Sequence, residues 1–163
     1  MKLTLPPQLS GQLLFRRGAL IKLTIEFDDG TTREKYGIAV NVDEAGDPVL
    51  LILTTTNLRW YDEHPDAVGF VRAPAGTIQS LPRDSVINCR TLHQISREKI
   101  AQDYQSQLVT YCEQLPAAVL SEIDSALADT AMLSPADKAK VVPNHAPASS
   151  RGQKLKMRLR PRR

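Results

Sequence analysis

The apolar residues of this chain change their period near residue 96, and that change most limits what the chain can fold into. Before it the pattern belongs to strands. Ile21, Leu23, Ile25 and Phe27 alternate with Lys22, Thr24 and Glu26, the period-2 signature of a strand buried on one side. Asp28-Asp29-Gly30-Thr31 follows, a turn with glycine where positive φ is needed, so a hairpin is predicted. The return strand is expected from about Arg33 to Val42, with Ile38 and Val40 on one face. Ala45-Gly46-Asp47-Pro48 forms the next turn. Val49–Leu53 is a continuous apolar run ending in Thr54-Thr55-Thr56, which predicts a strand covered on both sides. Residues 58–68 show no period and read as a loop. Short strands are expected at Gly69–Arg72 and Ser85–Cys89.

After residue 96 the period is helical. Ser96 is a candidate N-cap, and Ile100, Tyr104, Leu108, Tyr111 and Leu115 recur at helical spacing up to Pro116. This predicts one helix from about Arg97 to Leu115. Val119, Leu120, Ile123, Ala126 and Leu127 mark a second, and Ser134-Pro135 starts a last short turn of helix. Short strands followed by helices make the class α+β, with five to seven strands in a small barrel rather than a parallel sheet. The domain is expected to span residues 1–142. Residues 143–150, rich in Pro, Ala, Ser and Asn, read as a linker, and residues 151–163 as a disordered basic tail.

Charge divides the chain in the same place. Lys and Arg number 21 against 18 Asp and Glu, a net charge of +3. Seven of the bases lie in residues 151–163, among them Lys154, Lys156, Arg158 and Arg160, and no acid accompanies them. Residues 1–150 therefore hold 14 bases and all 18 acids, a net of −4. The tail admits three accounts: a strand added to a sheet edge, a polycation folded back on the acidic body, or a mobile arm on nucleic-acid backbone. The Pro-rich linker and Pro161 favour the arm. Two cysteines, Cys89 and Cys112, are too few for a disulfide framework. With neither a secretory signal pattern nor a long apolar run, the chain is expected to be soluble and cytoplasmic, with no membrane partner.

Few residues suggest chemistry, and each has a structural alternative. Lys35, beside Arg33 and Glu34, is either part of a solvated charge cluster or a cation at the rim that meets a phosphate. Thr54, Thr55 and Thr56 are good strand residues, or hydroxyls placed to bond a ligand where a buried strand opens into a loop. Trp60 and Tyr61 either stack on unpaired bases or fold back over the sheet. Among His64, His93 and His145, only His93, near Arg90 and Arg97, has a suggestive setting for proton transfer. Cys89 reads as a buried structural thiol. No pattern for a metal or cofactor is present, so none is expected.

Arg17-Gly18, the strand after it, the Asp28-Asp29-Gly30 turn, Arg33-Glu34-Lys35, Leu53-Thr54-Thr55-Thr56-Asn57 and Arg90-Thr91-Leu92 stand in an order that resembles the MazF/PemK family of toxin endoribonucleases. The resemblance covers about residues 17–130 and rests on the order of weak motifs. Two positions depart from it: Ala19 stands where the family usually has Asp, and Lys35-Tyr36 where it has Arg-Pro. The resemblance implies an SH3-like barrel, usually a homodimer, that cuts single-stranded RNA without metal by attack of the 2′-hydroxyl on the adjacent phosphate. It implies control by a cognate antitoxin protein whose acidic segment fills the RNA groove. Carried onto this sequence, Lys35 takes the catalytic-arginine position, and Thr56, or Thr55 in the alternative register, the active-site threonine. Arg17, Arg33, Arg59, Trp60, Tyr61, Arg90 and the tail bases Lys154, Lys156, Arg158 and Arg160 are the expected RNA contacts. Lysine lacks the planar fork by which arginine grips phosphate at two points. The competing expectation is therefore a non-catalytic SH3-like barrel that binds protein or nucleic acid.

Overall fold

Strand alternation governs the first hairpin. The computed structural model describes residues 15–144, and in it β1 (Ala19–Glu26) pairs antiparallel with β2 (Thr32–Ala39), from Leu20 opposite Ile38 to Glu26 opposite Thr32. The intervening turn uses Gly30 at φ +75°, a region glycine enters without steric cost. The Asp29 carboxylate accepts hydrogen bonds from the Thr31 backbone N–H and hydroxyl, which hold its carboxyl below the ordinary value.

β3 (Val49–Thr55) is buried on both sides, as its unbroken apolar run predicts. Val49 and Leu51 pack with Phe15, Ile21, Leu23, Ile100 and Val109 on one face. Leu50 and Ile52 pack with Leu20, Ile38 and Ile87 on the other. β4 (Phe70–Ala73), β5 (Ser85–Ile95) and β6 (Val109–Gln114) complete a six-stranded antiparallel sheet in the order β4-β5-β3-β2-β1-β6. The protein is α+β, as expected.

The expected closed barrel is not found. β4 and β6 stand at opposite edges and do not pair with each other. Helices account for the difference, because they cover both faces. α2 (Arg97–Gln105) contributes Ile100 to one core. α3 (Ala117–Asp129) lays Val119, Ile123, Ala126 and Leu127 against the other, joined by Val141 of α4 (Pro135–Val141). A sheet covered on both faces buries its apolar residues without closing. α4 begins at Ser134, whose hydroxyl accepts from the Asp137 N–H.

Three local expectations are corrected. The single helix from Arg97 to Leu115 breaks after Gln105. Gln107 takes φ +61°, the chain reverses, and residues 109–114 run as β6 along β1. Tyr111 and Leu115 suit a helical spacing, but Val109 and Tyr111 also stand two residues apart on one strand face, opposite Leu23 and Ile21, and pairing with β1 decides between the two. The expected loop at 58–68 contains a short helix, α1 (Arg59–Glu63), held by two i,i+4 contacts: an Arg59–Glu63 ion pair and a His64 ring stacked on Trp60. β5 continues six residues past the expected end at Cys89, to Ile95.

Among the described residues no helix is long and apolar enough to cross a membrane. The expected linker beyond Asn144, and the tail with Lys154, Lys156, Arg158 and Arg160, lie outside the described residues.

Candidate nucleic-acid groove

Where the Leu23–Leu51 core gives out, the same face of the sheet continues as an open groove of about 460 Å³. Its floor is built across three neighbouring strands. Gly37 of β2 lies opposite Leu53 of β3, and Leu53 opposite Asn88 of β5. The next residues of the same face, Lys35 on β2 and Thr55 on β3, line the groove with Leu53 and Asn88. Gly37 lets the leucines of this row pack closely: a Cβ there would stand 3.2 Å from the Leu23 side chain, tighter than an ordinary contact, and 3.5 Å from those of Leu51 and Leu53.

β5 reaches the groove twice because of a bulge. Asn88 pairs with Leu53 and His93 with Leu51, so five steps along β5 match two along β3. In a regular strand an odd separation places side chains on opposite faces. The surplus residues restore the face, so Asn88, Thr91 and His93 all line the groove. Burial pushes the His93 imidazole below its usual value, which keeps it neutral near pH 7.

The far wall is aromatic. Trp60 and Tyr61 line it from α1, and Phe27 lines it from the end of the first hairpin. The rings pack on one another rather than standing free. His64 stacks on Trp60 at 4.4 Å, Tyr61 meets Trp60 edge-on at 5.1 Å, and Phe70 meets Tyr61 at 5.0 Å. Arginines sit on this wall: Arg90 is 5.1 Å from the Trp60 ring centre and Arg33 is 5.6 Å from that of Phe27. These are cation–π distances, which hold the guanidinium groups without neutralising them. Burial raises the Tyr61 phenol despite the nearby Arg90, so the hydroxyl stays protonated.

The groove lining has no carboxylate, although residues 1–150 carry a net charge of −4. Two other depressions do carry acids: Asp43 and Asp47 beside α4, and Glu26 and Asp103 beside α2. Lys35 has no ion pair among the described residues. Its neighbour Glu34 points to the other face and pairs with Lys22 at 2.8 Å.

The structure thus gathers Lys35, Thr55, Trp60 and Tyr61 in one groove, with Arg33 and Arg90 on its rim. Thr54, which is buried, and Thr55 both line the groove, whereas Thr56 is exposed just past β3 and outside the lining, so of the two expected registers Thr55 is the one in the groove. Arg59 is exposed on α1, paired with Glu63 at 3.0 Å. Arg17 lies elsewhere. Its guanidinium donates to the Val40 carbonyl and to the Asp124 carboxylate, tying the start of β1 to α3. Asn88 and Thr91 are not among the expected site residues, although Thr91 stands in the Arg90-Thr91-Leu92 motif, because the bulge that turns them inward has no sequence signal. Burial pushes the Cys89 thiol up to about 12, so it is inert packing. No cluster of three His, Cys, Asp or Glu side chains among the described residues is arranged to hold a metal ion.

The chain matches no protein-family model, and no curated protein matches it.

Proposed function

We propose that this protein is an endoribonuclease that cleaves single-stranded RNA in the Lys35–Thr55 groove without a metal ion, as a toxin of the MazF/PemK kind. One observation carries the proposal. In a body that is acidic overall, a groove with no carboxylate among its described lining residues holds Lys35, which has no ion pair among the described residues, with Arg33 and Arg90 on its aromatic rim. Such a surface attracts a polyanion, and its open shape admits a single strand.

In the proposed reaction the 2′-hydroxyl of one nucleotide attacks the adjacent phosphorus. The neutral His93 imidazole takes the hydroxyl proton as the 2′-oxygen bonds to phosphorus. Lys35 offsets the charge that builds on the phosphoryl oxygens. The bond to the 5′-oxygen breaks, and that oxygen takes a proton from water. The His93 imidazolium returns its proton to the hydroxide so formed, and the products are a 2′,3′-cyclic phosphate and a 5′-hydroxyl end. An SH3-like strand arrangement, opened at the β4 and β6 edges, belongs to the same proposal, as do a homodimer and an antitoxin. The absence of carboxylates would let an acidic antitoxin segment enter.

The test is cleavage of mixed-sequence RNA in excess EDTA. The wild type should cut, and Lys35→Ala should be slower by about 10²–10³, the usual loss for one positioned donor. Cleavage at the wild-type rate by Lys35→Ala removes Lys35 from the reaction. Binding without cleavage by the wild type overturns the nuclease proposal in favour of a non-catalytic binding module.

A further inference from the structure

The hydrogen bonds around the groove determine which of its polar atoms remain available. Asn88 Oδ1 accepts a 2.9 Å hydrogen bond from the Arg90 backbone N–H. A backbone N–H can pair only with the oxygen of an amide, so this bond fixes the orientation of the side chain. Nδ2 is therefore the free end. It has no partner among the described residues and is not among the atoms sealed from solvent. Thr55 is fixed in the same way. Its Oγ1 accepts from the Asn57 backbone N–H at 3.1 Å, which leaves the hydroxyl hydrogen free to donate. Lys35 Nζ adds donors and no acceptor. Three adjacent strands thus present donors without carboxylate competition: Asn88 on β5, Thr55 on β3 and Lys35 on β2.

We infer that Asn88, Thr55 and Lys35 form a seat for one phosphodiester group, and that Asn88 Nδ2 is a direct phosphate-binding donor. A phosphodiester is an acceptor-only anion with two unesterified oxygens, so a set of free donors matches it. Arg90 reinforces the seat indirectly, since its backbone holds Asn88 while its side chain lies over Trp60. The inference rests on the nucleic-acid assignment of the groove but not on cleavage.

Binding of a 2′-deoxy oligonucleotide tests it, because that strand offers the phosphodiester and cannot react by 2′-hydroxyl attack. Asn88→Asp keeps an oxygen for the Arg90 N–H and removes the donor, whereas Asn88→Ala removes the donor without adding charge. Both variants should bind more weakly than wild type by about tenfold to a hundredfold, the range for a hydrogen bond to a charged group. Asn88→Asp should melt at the wild-type temperature, which separates loss of the donor from loss of the fold. Wild-type affinity in either variant overturns the seat. If the wild type binds the oligonucleotide in an Asn88-dependent way yet cuts no RNA, the seat stands and the nuclease proposal fails. If the wild type cuts RNA and the Asn88 variants bind normally, the reverse holds.

Discussion

Arg17→Ala is expected to cost stability and to leave RNA affinity unchanged, although the sequence marks Arg17 as an RNA contact. The side chain is only 10% exposed, and its guanidinium bonds both the Val40 carbonyl and the Asp124 carboxylate. Removing one partner of a buried ion pair costs about 3–5 kcal/mol when the remaining charge stays dry. Asp124 is 30% exposed, so water can replace part of what it loses. The Val40 carbonyl loses a donor as well, worth about 1 kcal/mol or more. A net loss of about 2–3 kcal/mol follows. For a chain of this size that lowers the melting temperature by about 5–10 °C. Arg17→Lys, which can keep the charge but not both bonds, should lose about half as much. Thermal melting by circular dichroism measures the first effect, and anisotropy of a labelled 2′-deoxy oligonucleotide, at a temperature where both proteins are folded, measures the second. A melting temperature within about 1 °C of wild type would mean that the β1–α3 tie carries little energy. A large loss of affinity in the folded variant would return Arg17 to the RNA surface.

The other predictions concern the groove and the tail. Thr55→Val should slow RNA cleavage by about tenfold or more, whereas Thr56→Val should cut at the wild-type rate; the opposite order would move the site to Thr56. Burial lowers the His93 pKa, and the neutral imidazole is the active form. The cleavage rate should therefore rise with pH through an apparent pKa below about 6.5 and level off above it, and His93→Gln should remove that limb; a limb that survives the substitution belongs to another group. Deleting residues 151–163 should flatten the salt dependence of RNA binding by about 0.7 in log–log slope for each phosphate that the tail neutralises in the full chain. The cut sites should stay the same, and an unaltered slope refutes the arm.

Legibility of the fold depended on how many periods a segment could satisfy. Ile21–Phe27 and Val49–Leu53 admit one pattern each, and their strands and the burial of β3 follow from it. Val119–Leu127 is equally plain as a helix. Residues 104–115 satisfy two patterns at once: Tyr104, Leu108, Tyr111 and Leu115 step like a helix, while Val109 and Tyr111 step like a strand. The free edge of β1 settles the matter, and no local signal in the sequence announces that edge. α1 was hidden for a different reason. It buries no residue completely, and its contacts are aromatic and ionic, so it has no apolar stripe to read.

The groove shows why a site can be half legible. Lys35 and Thr55 are visible because Lys35 lies within the regular strand β2 and Thr55 ends the regular strand β3, and in a regular strand alternate residues share a face. Asn88 and His93 stand five residues apart, which in a regular strand puts them on opposite faces. Only the bulge against β3 turns both into the groove. An irregularity of this kind leaves a row of hydrogen bonds incomplete, and Asn88 meets part of that need by accepting from the Arg90 N–H two residues on. The bond that meets this need is also the bond that leaves Nδ2 as the free end of an amide lining the groove. The same interruption of the ladder that hid the site from the sequence therefore supplies its free donor.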